Sequence, residues 1–362
     1  MSKVIIRGIP RGSQDNKLIA SIKQVALTAF DDFSWLKRGD LVLLKVALNS
    51  NNPYPATTHP IAVRALAKLI ISRGGRVLVG DQSGLEYCQQ TPQGVNHLSS
   101  AQCYSESGMI ESGIEFHGFE ECGWDAYDLI ADPRALHWPN GFHVTRYLAE
   151  VDHIISLPRI SVHGMSGETL SAKNCVGYLR EDDRVIFHAE GPLYPYIKLK
   201  MMGTKLIVKS AGVNDFFEKI VEIGLAEHNK LRGVLFVATE AQTTMGPNNY
   251  LISLGKLECF KSFIYKPKCG LIIASQDSVA ADAAALAVLT EWYENTPSSA
   301  KFLQKILLRV NNRIKELGTY PLWQNSFLAH SLCIGLGSKP SKITYFHVPA
   351  KLRHAIDRRI FY

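Results

Sequence analysis

TTHPIAVRALAKLIISRGGRVLVGDQSG, residues 57–84, is the stretch on which the fold turns. Apolar residues recur at helical spacing from Ile61 to Ile71. Thr58 or His59 can accept the first free amides, Pro60 suits the first turn, and Gly74-Gly75 ends the period. RVLVG follows at once as a short apolar strand that runs out into Asp81, Gln82 and Ser83. Upstream, GDLVLLKVALN (39–49) is another apolar strand, entered through the Gly39-Asp40 turn. Strand, helix and strand in this order, with strands apolar on both sides, imply a parallel sheet covered by helices.

The same alternation extends in both directions. KVIIRGI opens as a strand and NKLIASIKQVALTAF repeats at helical spacing. Residues 88–143 are rich in Gly, Ser, Gln, His and Trp and have weak periodicity; a helix at 106–117, one further strand and a long loop are expected there. VTRYLAEV leads as a helix into the strand DHIISLPRIS, and GETLSAKNCVGYL reads as a helix or helical turn. Residues 180–203 are expected to be irregular, a lid or outer loop. NDFFEKIVEIGLAEHNKL, RGVLFVATEA, CGLIIAS and SVAADAAALAVLTEWYE then complete an α/β second half, and SAKFLQKILLRVNNRIKEL adds a late helix. The expected architecture is an α/β domain over 1–290, with mostly parallel sheet, helices on both faces and possible lobes at 1–150 and 151–290. A helical extension with a basic tail would occupy 291–362.

Composition narrows the function classes. An apolar content of 46% and a charged content of 20% describe a folded chain. The apolar runs are interrupted by acids such as Asp277 and Asp282, so no membrane span is expected. The N-terminus lacks the apolar core of a signal peptide, which makes a cytoplasmic location the expectation. Seven cysteines, none in a CxxC pair, read as reduced thiols, and no iron–sulfur cluster is expected. The net charge of +7, partly in the tail KLRHAIDRRIFY, lacks the dense basic face of a nucleic-acid binder. It suits a small anionic substrate instead.

Ligands of open parallel sheets bind beyond the carboxyl ends of the strands. Lys45 and Asn49, Asp81 and Ser83, Arg159 and His163, Glu240, and Ser275 with Asp277 stand at five such ends. A loop needs no chemistry of this kind at so many places. His163 and Lys173 in HGMSGETLSAKN (163–174) bracket a Gly-rich turn and a Ser/Thr run. An imidazole there can move a proton near neutral pH, and an ammonium beside Asn174 can grip a carboxylate or phosphate.

In order, GDLVLLKVALN, the 57–84 stretch, VDHIISLPRISVHGMSGETLSAKNCVG and GLIIASQDSVAADAAAL resemble the blocks of the family named domain of unknown function 362. The resemblance spans about residues 39–290 and implies the fold and a site, since that family has no settled reaction. Departures are visible. The two family lysines before the His appear as Arg159 and Ser161, the Pro-Asn after the strand lysine is Val46-Ala47, and the ferredoxin-type cysteines of many members are absent. A more distant likeness is to lactate racemase, which holds a nickel-pincer nucleotide. His163, Lys173 and His188 match its spacing of His, tethering Lys and metal-ligating His, whereas its G-T-H-R turn appears as Gly80, Asp81, Gln82 and Ser83. That likeness implies a possible bound metal or nucleotide-derived cofactor.

The candidate site is therefore His163, Lys173 and Asp81 for chemistry. Lys45, Thr57, Thr58, His59, Ser83, Arg159 and Asn174 would bind substrate, and His188 a metal. His188 also fits a strand in DRVIFHAE, Asp183 and Arg184 fit a structural pair, Thr57 to His59 fit a helix cap, and TTMGPNN (243–249) fits a turn. Asp277 reads as a helix cap, and Asp282, inside an Ala-rich helix, requires a partner. Two functions of different class follow. One is an enzyme using acid/base chemistry on a small carboxylate- or phosphate-bearing metabolite, by isomerisation, elimination or redox. The other is a non-catalytic binding or accessory protein, a metallochaperone or a partner of a redox protein. Visible absorption and metal content of the purified protein would separate them.

Overall fold

The computed structural model describes residues 2–188, 215–254, 257–310 and 314–362. Its centre is an eight-stranded sheet. The strands are β1 (Lys3–Pro10), β2 (Leu41–Val46), β3 (Arg76–Asp81), β4 (Phe116–Gly118), β5 (His153–Leu157), β6 (Leu231–Ala238), β7 (Cys269–Ser275) and β8 (Lys342–Phe346). They lie in the order β8-β1-β7-β6-β5-β2-β3-β4. All neighbours run parallel except β7, which is antiparallel to β1 and to β6. The expected α/β fold with a mostly parallel sheet is what forms.

Both faces of this sheet are covered, because successive strand residues point to opposite sides. Val42 and Leu44 join the core beneath helices Asp15–Ala29 and Pro60–Ser72, while Leu43 between them joins the core of helix Phe216–Ile223. Val4 and Ile6 likewise face the Ala-rich helix Ser278–Glu294, and Ile5 faces the other way. That helix is buried nearly all round, so its alanines allow close approach to strands on one side and to helix Ala350–Phe361 on the other. Residues 291–362 hold helices Ser298–Val310, Ser326–Cys333 and Ala350–Phe361 and the edge strand β8 beside β1. Among the described residues no helix is long and apolar enough to cross a membrane.

Three local expectations are corrected. The helix expected at 106–117 lies at Ser100–Glu106, because Ser99 and Gln102 form a reciprocal cap at its start and Gly108, at φ 79°, turns the chain after it. Residues 116–118 are strand instead. The irregular segment expected from 180 begins as a helix, Glu181–His188; the rest of that expected lid, 189–203, lies outside the described residues. His188 is therefore on a helix and not in a strand.

Candidate active site

The carboxyl ends of β2, β3 and β5 border one cleft of about 140 Å³. Asp81, Arg159, His163, Lys173, Asn174 and His188 all line it, with Arg184 and Asn248 beside them. The topology explains the convergence. β2 and β3 are neighbours, so Lys45 lies opposite Gly80, one residue before Asp81. β5 is the next strand on the other side of β2, and the chain leaving it passes through Arg159 into a small second sheet. There Ser161–His163 pairs with Gly167–Thr169, and the following helix, Ser171–Asn174, carries Lys173. Asp282 is the partner-seeking carboxylate of the Ala-rich helix. It accepts the amides of Ser171 at 2.9 Å and Ala172 at 3.0 Å, which fixes the start of the Lys173 helix.

The floor is a saturated ion pair. Lys45 Nζ meets Asp81 Oδ1 at 2.7 Å, the Asn174 carbonyl at 2.8 Å and the Val46 carbonyl at 3.0 Å. An ammonium has three protons, so all are used. Asp81 also accepts the amides of Leu48 at 2.7 Å and Gln82 at 2.8 Å. Burial raises the Asp81 pKa more than Lys45 and these donors lower it. Asn174 closes the floor by donating to Ser156 Oγ at 3.1 Å. Gly177 presses against the pair: a Cβ there would stand 1.9 Å from Asp81 Oδ1 and 3.0 Å from Lys45 Nζ. Lys45 thus holds Asp81 in place and does not project into the cleft as a loose cation.

The walls are cationic. Arg159 Nη1 donates to Gln242 Oε1 and the Pro247 carbonyl, both at 2.8 Å. Its Nη2 and Nε have no protein acceptor and no carboxylate pairs with it among the described residues. Burial lowers its pKa to about 9, so it stays charged at neutrality. Lys173 has no ion-pair partner among the described residues, and burial, then Arg159 and Arg184, bring its amine down to about 7. Arg184 is tied to Glu181 at 3.2 Å and to the Ser83 carbonyl at 2.7 Å, while its Nε is buried without an acceptor among the described residues. The Asp183–Arg184 pair expected from sequence does not form; Asp183 bonds His143 at 2.9 Å, because on a helix the two adjacent side chains diverge.

Two histidines complete the cleft in opposite tautomers. His163 Nδ1 accepts the Met165 amide at 3.0 Å, so the neutral ring carries its proton on Nε2. His188 Nδ1 donates to the Arg184 carbonyl at 2.6 Å, so its lone pair is on Nε2. Burial first, then Lys173, hold both pKa values well below the usual imidazole range. One ring is set to donate at neutral pH and the other to accept.

Besides Lys45, four sequence candidates lie off the cleft lining. Thr58 Oγ1 accepts the Ala47 amide at 2.8 Å and bonds the Leu157 carbonyl, bracing β2 against β5. Thr57 bonds the Asn52 carbonyl at 3.3 Å. His59 caps helix Pro60–Ser72 through the Ile61 amide at 3.3 Å. The Ser83 hydroxyl is buried with no partner in the described residues, and its amide donates to Ser100 Oγ at 2.8 Å. Asp277 caps its helix through the Ala280 amide, as read from sequence. Arg184, Asn248 and Glu86 line the cleft and escaped the sequence reading. Arg184 stands four residues before His188, a spacing that shares one face on a helix but was hidden by the strand assignment. Asn248, from the stretch read as a turn, donates to Glu86 at 3.1 Å and accepts from Asn49 at 2.6 Å.

The signature described as Domain of unknown function (DUF362) matches residues 42–287. The chain belongs to that family. The DUF362 match takes in every cleft residue named above. No curated protein matches the sequence. A crystal structure of a protein from Thermotoga maritima is similar at 13% identity with a TM-score of 0.38, over 80% of this chain and 59% of that one. This chain thus spans under two thirds of that protein's length.

Proposed function

We propose that the cleft binds a small carboxylate- or phosphate-bearing metabolite and moves a proton on it. The observation that carries this reading is the pair of cations Arg159 and Lys173, which line the cleft without a carboxylate partner among the described residues while its Asp81 is already consumed by Lys45. Arg184 is paired with Glu181 and Glu86 also lines the cleft, but Arg159 and Lys173 pair with no carboxylate among the described residues. Buried cations of that kind are costly, and an anionic ligand supplies the missing charge. Arg159 offers the geometry for a bidentate bond to a carboxylate or phosphate.

Proton movement is supported by the histidine tautomers. His163 Nε2–H can donate to an oxygen that gains negative charge, as a neutral imidazole does without first losing a proton to solvent. His188 Nε2 can accept the proton removed. Lys173, with an amine near 7, can serve in either direction or hold the anion, and ligand charge would push its pKa back up. The likeness to lactate racemase suggests further that His188 Nε2 could ligate a metal and Lys173 could anchor a nucleotide-derived cofactor. The donor types suit those tasks, and the group, when bound, would supply hydride or electron-sink chemistry.

Exchange in D2O tests the reading. A panel of small carboxylates and phosphate esters is incubated with the protein and followed by NMR for carbon-bound hydrogen replaced by deuterium. Exchange on a bound member is expected, slower by roughly 10²- to 10⁴-fold in His188→Gln and His163→Gln. Binding that Arg159→Met abolishes, with no exchange in wild type, would make the chain a carrier or accessory protein. Absence of any binding would end the anion reading. Metal content and visible absorption of the same samples decide whether a cofactor takes part.

A further inference from the structure

Away from the cleft, three side chains from three separate segments close on one point. His137 comes from the turn-rich stretch between strands Tyr127–Ile130 and Phe142–Thr145, Glu222 from helix Phe216–Ile223, and His330 from helix Ser326–Cys333. Glu222 Oε1 lies 2.6 Å from His137 Nδ1 and 3.1 Å from His330 Nε2. All three donor atoms fall within 4.8 Å of one another. The Glu222 side chain is fully buried, and no lysine or arginine pairs with it among the described residues.

We infer that this is a binding site for a divalent metal ion, with zinc as the best-suited class. Two imidazole nitrogens and one carboxylate oxygen are the donors zinc accepts in three-residue sites that keep a fourth position for water. Zinc at about 2.05 Å from each donor sets the donors about 3.3 Å apart, close to the 3.1 Å between Glu222 and His330. His137 needs to withdraw by under about 1 Å, and its side chain is 32% exposed, so it has room to do so. The second oxygen is already positioned, since Glu222 Oε2 accepts the His137 amide at 3.0 Å. That outer bond orients the carboxylate, as the partners around a metal commonly do. The ion would supply the charge that Glu222 lacks and would join the 131–141 segment to two helices far apart in sequence. Borderline nitrogen and carboxylate donors favour zinc over calcium or magnesium, which prefer oxygen sets.

The test uses full-length protein stripped with EDTA and titrated with Zn2+ by calorimetry, and with Co2+ by visible absorption. One equivalent is expected, with a raised Tm and the spectrum of low-coordinate Co2+. His137→Gln and His330→Gln should each weaken binding by at least about 100-fold, since loss of an outer partner alone costs roughly 10- to 100-fold. His188→Gln is the control and should keep the equivalent. His137 is partly exposed, so its variant keeps the inference testable even if the other fails to fold. No uptake by wild type, or uptake that neither His137→Gln nor His330→Gln changes, overturns the assignment and leaves a carboxylate hydrogen-bonded between two imidazoles.

Discussion

His163 and His188 share their cleft with Arg159, Lys173 and Arg184, whereas His137 and His330 close on a single buried carboxylate, Glu222. The residue type is the same and the surroundings are opposite in sign. Among cations, an imidazole is held neutral and offers one donor and one acceptor nitrogen, which suits proton transfer to and from an anion. Beside an acid it becomes part of a set of two nitrogen donors and one carboxylate, which suits a metal ion. What each histidine can do is decided by the charge that the rest of the site leaves unmatched.

The comparison breaks most severely at the floor of the cleft. Gly177→Ala places a methyl group against Asp81 Oδ1 and Lys45 Nζ, and backbone on a helical turn cannot retreat far. Parting a buried ion pair costs about 3–5 kcal/mol. Urea unfolding should show a loss of that order, and the cleft should lose its ligand affinity. The His137–Glu222–His330 group, if the two regions are independent, should keep its metal affinity under conditions where the variant is folded. An Ala variant as stable as wild type would mean that the floor tolerates rearrangement.

Arg159→Met comes next. It removes a charged donor while keeping the stem, and a hydrogen bond to a charged group is worth about 1.5–3 kcal/mol. Binding of whichever carboxylate or phosphate the cleft accepts should weaken by roughly 10- to 100-fold in calorimetry. Equal affinity in the variant would detach Arg159 from the ligand and leave Lys173 and Arg184 as the grips.

How far the site was legible follows from what each signal measures. The apolar strands β2, β3 and β5 and the helix between Pro60 and Ser72 were plain, because burial on both faces leaves no polar interruptions to confuse the pattern. Polar residues at the ends of those strands pointed to the cleft for the same reason: Asp81, Arg159 and His163 follow where apolar periodicity stops. The failures have separate causes. Helix Glu181–His188 is too short for its period to be recognised, so Arg184 and His188 were separated on paper although one turn of helix puts them together. Thr57, Thr58 and His59 carried two readings, anion donors or helix cap, and His59 takes the cap. Their hydroxyls and ring look like anion donors in sequence, yet their bonds go to backbone in the described structure. The Glu222 group was invisible, since three residues spread from 137 to 330 share no spacing that sequence can display.

Lys173→Met sharpens the comparison through pH. The amine has a folded pKa of about 7, against about 10.4 in the unfolded chain. Between these values the unfolded state binds a proton that the native state does not, so this residue makes stability rise with pH from 7 to 10.4. Below 7 its penalty is complete. The Met variant should therefore be the more stable protein at pH 6, on the order of 1–2 kcal/mol after allowance for partial exposure, with the gap closing toward pH 10. Urea unfolding at both values checks this. A gap that does not change with pH, or a less stable variant at pH 6, would mean that Lys173 is charged and satisfied in the folded protein.

The smallest effect on stability is expected for His163→Gln, and its sign follows from the same linkage. The folded pKa of His163 is pushed well below 6.5, so below pH 6.5 the unfolded chain takes up a proton that the native ring refuses. Native stability then falls with decreasing pH, by at most about 1.4 kcal/mol per pH unit from this group. Gln has no such titration, and its amide oxygen can still accept the Met165 amide. At pH 7 wild type and variant should differ by under about 1 kcal/mol. At pH 5.5 the variant should have gained on wild type, because only wild type keeps a neutral imidazole among cations. Added phosphate or a small dicarboxylate that enters the cleft should shrink that gain, since a bound anion restores the charge that lets His163 protonate. If the acid-side gap is absent without any anion present, His163 titrates like an exposed imidazole, and the contrast between the two histidine pairs loses its electrostatic basis.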